Sequence, residues 1–290
     1  MKISTVAKVL ASVVLSVFSF AIVFLFLKPV GLWYFGHRPI LGVDFFNMAT
    51  FARHFKDNFE LIPREYWNWW YGGFPTFSIF IFTWYWVVGL VAKIFPLVEA
   101  VKFSAIGGFS ALLIFFYLAS LRLSKNHFLS ALLTILVGLS ANMYGSATWG
   151  GSMPYFINQL YLPLILWLIA SYFDTGSRRW FWASILAFGL SFLGHPLSAG
   201  MFVLPMAGLL LLFGIRKEPT SIKKRIIDAA LFFFGGYLIA YRISRGIIFD
   251  MTKGLIGGFV SKFTNSLGGV ISDNTPSQAI AQVDSVGQAI

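Results

Sequence analysis

Along this chain, apolar residues gather into long runs separated by short polar breaks. A run of about 20 mostly apolar residues is long enough to cross a bilayer as a helix. Such runs lie at 4–27, 99–121, 128–147, 153–173, 179–194, 197–214 and 226–244. The fifth is short for a crossing. A further stretch, Phe77 to Pro96, is long enough to cross on length alone. The pattern predicts an all-α fold: a polytopic transmembrane helical bundle of about seven spans. The long external first loop, 28–98, carries juxtamembrane helices.

Charge sets the predicted orientation. Three short loops are basic: Arg122 and Lys125; Arg178 and Arg179; and Arg216, Lys217, Lys223, Lys224 and Arg225. The connections near Gly150 and His195 carry no lysine or arginine. Basic loops stay on the cytoplasmic side, and Lys2 and Lys8 place the N-terminus there too. Both conditions hold only if 77–96 does not cross, so it is read as re-entrant or interfacial. Trp84, Tyr85 and Trp86 suit a membrane interface. The alternative is eight spans with an external N-terminus. The expected location is the cell membrane, multi-pass, among membrane lipids.

The first run is read as an uncleaved helix rather than a signal peptide. It is too long for a signal core, and Lys28-Pro29-Val30 makes a poor cleavage site. Residues 1–245 form the membrane module. Residues 246–290 form an external tail, first amphipathic, then polar and disordered.

Composition agrees with a membrane class: 58% hydrophobic, 11% charged, mean hydropathy +0.76. The net charge of +11 is explained by topology, so nucleic acid is not an expected partner. The absence of cysteine excludes disulfides, thiolate metal sites and cysteine nucleophiles. No phosphate-binding loop, zinc-binding His-Glu-x-x-His or nucleophile elbow is present. Charges are nearly absent from the span centres, which argues against a transporter.

Candidate chemistry concentrates in 28–75. Asp44, close to the membrane among aromatics, is a candidate general base or metal ligand. It could instead cap a helix starting at Phe45. Glu65 could bind a metal or a substrate hydroxyl, or pair with Arg64 or Lys56 at the surface. Trp67, Trp69 and Trp70 could stack on sugar or cover lipid tails, or anchor the interface.

Outside that loop, His195 could ligate a metal or shuttle a proton, or bond a neighbouring helix end. The turn at 149–154, with Asn158 and Gln159 beyond it, could line a substrate groove or simply close two helices. Asp228 is expected to cap the seventh span. Glu99 and Lys102 are read as an i,i+3 pair.

The order of these features resembles the GT-C superfamily of membrane glycosyltransferases. The elements are a first span, an external loop with the early acid Asp44, and the passage Trp70-Tyr71-Gly72-Gly73-Phe74-Pro75. An apolar juxtamembrane segment follows, then a second span ending in the basic Leu121-Arg122-Leu123-Ser124-Lys125. The Gly194-His195-Pro196 turn is similar to one in prokaryotic relatives. The resemblance implies a seven-span module and transfer of a sugar from a polyprenyl-phosphate carrier at the external face. Asp44 becomes the base, with Glu65 and His195 as further catalytic candidates. Arg53, Arg64 and Arg242 become candidates for holding the donor phosphate. The tryptophans and Gln159 become substrate-binding, and a divalent cation, Mg or Mn, becomes a candidate cofactor.

Two departures stand out. The second external loop has no acid, and such enzymes are usually much longer. A non-catalytic membrane subunit, with membrane protein partners, is therefore the second reading.

Overall fold

In the computed structural model, the described residues are 5–26, 45–57, 82–140, 159–195, 198–217 and 220–244. All belong to the unit Met1–Arg245, and the tail 246–290 lies outside them. The described residues are helical, with no strand among them. The helices are α1 Thr5–Phe26, α2 Phe45–Asp57, α3 Phe82–Val91, α4 Leu97–Ser124 and α5 His127–Gly138. There follow α6 Tyr161–Thr175, α7 Arg178–Gly194, a π-helical turn Ala199–Val203 leading into α8 Leu204–Phe213, and α9 Ile222–Ser244.

Among the described residues, two helices are long and apolar enough to cross a membrane: Val6–Leu25, with 20 residues, and Leu97–Ser124, with 28. The other helices at predicted spans are shorter or carry charge. At 1.5 Å per residue, α5 with its 12 residues is only about 18 Å long. A hydrocarbon core is about 30 Å thick. The 10-residue α3 spans about 15 Å, and the rest of its stretch, 77–81, lies outside the described residues.

Side-chain contacts fix the helix directions. Ser12 on α1 meets His127 Nδ1 at 3.1 Å, and Ser19 Oγ donates to the Ala131 carbonyl at 3.4 Å. Farther along, Val23 lies against Gly138. Contacts therefore advance together along both chains, so α1 runs parallel to α5. By the same logic α6 is parallel to α4, because Phe115 meets Trp167 and Arg122 meets Asp174. Helix α9 is parallel to α7, because Arg178 meets Asp228 and Phe188 stacks on Phe232. Tight turns make α4–α5, α6–α7 and α8–α9 antiparallel pairs.

This alternation gathers the three basic loops, and the start of α1, at one end of the bundle. Two acids organise that end. Asp174 receives Arg122 at 3.3 Å and Lys125. Asp228, fully buried, receives Arg216 at 2.8 Å, Arg178 at 3.1 Å and the Tyr172 hydroxyl at 3.0 Å. The Arg216 guanidinium also lies over the Phe173 ring, 4.6 Å from its centroid. Asp228 is thus not the cap expected from the sequence. It sits inside α9, while Ser221 Oγ accepts from the Lys224 N–H at the helix start. The aspartate faces inward and was misread because a basic run precedes it.

Local rules explain the turns. Asn126 caps α5 by accepting from the Leu129 N–H at 3.1 Å. Gly176 ends α6 at φ +69°, a conformation that glycine adopts without strain. Arg225 Nη1 donates to the Leu212 and Gly214 carbonyls, closing the end of α8.

Large apolar side chains such as Leu113, Phe181, Phe188 and Phe232 fill the interior, and small polar groups lie among them: Ser19, Ser130, Thr134, Ser171, Ser184 and Ser191 are buried. Several donate to carbonyls on their own helix, as Ser184 does to Phe181 and Ser191 to Phe188, each at 2.7 Å. Large apolar groups face outward on α1, α8 and α9, for example Val6, Leu25, Phe213 and Phe234. Apolar outer faces of this kind suit association with a membrane.

Candidate functional site

The end opposite the basic loops is where the sequence places the chemistry. Asp44, Glu65, Arg64, Trp67, Trp69 and Trp70 lie outside the described residues. The helix expected from Phe45 does begin there, with Asp44 just before it in sequence. Arg53 lies on α2 with its side chain 75% exposed, 3.9 Å from Asp57 one turn on. It faces solvent as half of a surface pair, so it does not enter the bundle. Arg242 is on the last turn of α9, and its side chain lies outside the described residues.

Two short helices, α2 and α3, pack at this end. Helix α2 presses on α3: Phe55 is buried, and a Cβ on Gly89 would come within 2.7 Å of its ring. Helix α3 turns back into α4, where Phe95 meets Phe103 edge-on at 5.0 Å. A hydrogen bond between Thr83 and Tyr161 ties the start of α3 to the start of α6.

His195 ends α7 and initiates the next helix. Its Nδ1 accepts from the Ser198 N–H at 3.1 Å and lies 2.7 Å from Ser198 Oγ. The backbone N–H can only donate, so Nδ1 carries no proton and the neutral ring is protonated on Nε2. The ring therefore acts as a helix cap, one of the two roles its position allowed. Burial holds its pKa below the ordinary histidine value. The adjoining π-helical turn Ala199–Val203 widens the helix just past this cap.

Several polar atoms here are buried without a hydrogen-bond partner: Gln159 Nε2, Trp84 Nε1 and Ser104 Oγ. Gln159 was a sequence candidate; Trp84 had been read only as an interfacial ring. Lys102, on the second turn of α4, is 1% exposed, with Glu99 three residues before it as an electrostatic neighbour. The i,i+3 relation was legible, but not the depth of the lysine. One signal was available: a lone cation close inside an apolar run.

Among the described residues, no three histidine or acidic side chains are grouped to hold a metal. Of the candidates for that role, Asp44 and Glu65 lie outside the described residues, and His195 uses Nδ1 to accept from the Ser198 N–H.

The chain matches no protein-family model, no curated protein and no solved structure.

Proposed function

We propose that this chain is a seven-span membrane protein with a cytoplasmic N-terminus. In this reading it transfers a sugar from a polyprenyl-phosphate carrier at the external face, in the manner of the GT-C glycosyltransferases it resembles. The alternating helix directions support the topology. They set all three basic loops at one end, where the positive-inside rule would hold them in the cytoplasm. The large apolar groups exposed on α1, α8 and α9 support a lipid environment.

One observation carries the substrate reading: the external end holds buried hydrogen-bond donors that no protein acceptor satisfies. Asp44 is the base proposed to deprotonate the acceptor hydroxyl, Glu65 is a further catalytic candidate, the tryptophans are substrate-binding candidates, and a divalent cation is a candidate cofactor.

Native mass spectrometry of the detergent-purified protein, wild type beside Asp44→Asn, tests the proposal. Bound polyprenyl-phosphate sugar is the expected result, and its mass would identify the sugar class. Only ordinary phospholipids, alike in both proteins, would overturn it. That outcome would favour a non-catalytic membrane subunit, the reading supported by the use of the His195 ring as a helix cap.

A further inference from the structure

The three basic loops form one surface, because printed contacts gather them around the α6–α7 turn. Asp174, at the end of α6, holds Arg122 at 3.3 Å and also Lys125, both from the end of α4. The Lys217 N–H donates to the Phe173 carbonyl at 3.2 Å, which brings the segment after α8 to the same turn. Arg178, just past the turn, meets Asp228 at 3.1 Å and so brings the start of α9 there. Lys224 lies one helical turn before Asp228 and is exposed.

The charge of this surface is far from balanced. The three loops carry nine cations: Arg122 and Lys125, Arg178 and Arg179, and five between Arg216 and Arg225. Among the described residues two carboxylates face them, Asp174 and Asp228, and each is already engaged by two cations. Glu218 lies outside the described residues. Arg179, Lys217, Lys223 and Lys224 are exposed, with no carboxylate partner among the described residues. Arg179 lies over the Trp180 ring instead, 5.1 Å from its centroid. So dense an excess of one sign attracts anions.

Apolar side chains stand out beside these cations. Ile215, next to Arg216, is 95% exposed, and Ile222, next to Lys223, is exposed as well. Trp182, one turn after Arg178, is also exposed. A soluble polyanion makes no use of such groups. A phospholipid uses both kinds, its phosphate meeting the cations and its chains the apolar side chains. Exposed tryptophan settles at headgroup level.

We propose that this end of the bundle is a docking surface for anionic phospholipid headgroups. Arg179, Lys217, Lys223 and Lys224 meet the phosphates, while Ile215, Ile222 and Trp182 lie against the first carbons of the chains. The surface goes beyond the transferase reading and stands without it, since it lies at the opposite end from α2 and α3.

The test uses the full chain purified in a maltoside detergent. Phosphatidylglycerol and phosphatidylcholine with the same acyl chains are added in equal amounts, and bound lipids are counted by native mass spectrometry. Wild type should retain phosphatidylglycerol about fivefold or more over phosphatidylcholine. Salt should weaken the preference, because exposed charges are screened. Lys217→Gln, Lys223→Gln and Lys224→Gln combined should abolish it. Lys93→Gln, which removes an exposed cation between α3 and α4, should leave it intact. Glycerol 3-phosphate, a headgroup fragment without chains, should displace the lipid poorly.

Equal retention of the two lipids by wild type would overturn the proposal. So would a preference that survives the triple variant, or one that Lys93→Gln removes as fully. Displacement by glycerol 3-phosphate at matching concentration would assign the surface to a soluble anion and overturn the lipid. Tighter retention of a short RNA than of phosphatidylglycerol would do the same. Should the triple variant not fold, the three single variants carry the test, each expected to lower the preference. No change in any of them overturns it.

Discussion

Asp228 and Arg216 form an ion pair 2.8 Å long in which both side chains are almost wholly buried, 1% and 5% exposed. The pair joins the start of α9 to the segment leaving α8, and Tyr172 on α6 donates a third bond to the same carboxylate. Removing one partner strands the other as a buried charge. Asp228→Ala should therefore cost about 3–5 kcal/mol of stability. Replacing both, Asp228→Leu with Arg216→Met, should cost clearly less than the sum of the single changes. Thermal unfolding in detergent checks this. Additive losses would mean that the pair does not act as a unit.

The α7–α9 contact depends on glycine. A Cβ on Gly189 would come within 2.8 Å of Ile239, and one on Gly236 would overlap Phe188. Phe188 cannot swing aside: it stacks on Phe232 at 4.5 Å and meets Phe192 edge-on at 4.9 Å. Gly236→Ala should destabilise the fold by about 1–3 kcal/mol, as overpacked cores do. Gly208→Ala is the control. Nothing lies within 4 Å of its added methyl, and alanine is the better helix former. Its Tm should stay level or rise.

The parallel course of α1 and α5 predicts a specific crosslink. The chain has no cysteine, so introduced thiols can be read without background. Ser19→Cys with Ala131→Cys should crosslink through a short bifunctional reagent, because Ser19 reaches the Ala131 carbonyl. Ser19→Cys with Phe128→Cys, on the exposed side of α5, should not.

Orientation has its own test. Single cysteines at Ser177 and Ser221, in two basic loops, should react with a membrane-impermeant maleimide only after the cells are permeabilised. Labelling of intact cells at either position would invert the proposed topology.

The cap at His195 makes stability depend on pH. Its pKa in the folded chain lies below 6.5, its ordinary value. Between the two values the unfolded chain binds more protons, so stability rises with pH there. The contribution is complete above the ordinary value and is lost as pH falls toward the folded one. Wild type should therefore show a falling Tm from pH 7 to pH 5. His195→Asn keeps an acceptor for the Ser198 N–H and cannot titrate, so its curve should be flatter. Parallel curves would mean that other groups set the acid limit.

The sequence by itself determined the all-helical class, the position of most helices and the grouping of basic residues into three loops. These follow from local run length and charge, which need no knowledge of neighbours. It also marked the start of α2 at Phe45 and placed His195 at a helix junction. The candidate loop around Asp44 and the tryptophans was read from its residue types, and its geometry lies outside the described residues. Tertiary structure alone decided which polar groups turn inward. Asp228 reads as a helix cap until α6 and the segment after α8 close over it. Lys102 reads as one end of an i,i+3 pair until α3 packs against α4 and buries it. The physical reason is that burial belongs to the contact between helices. A sequence states which groups are charged, and only the packing states what their charge must face.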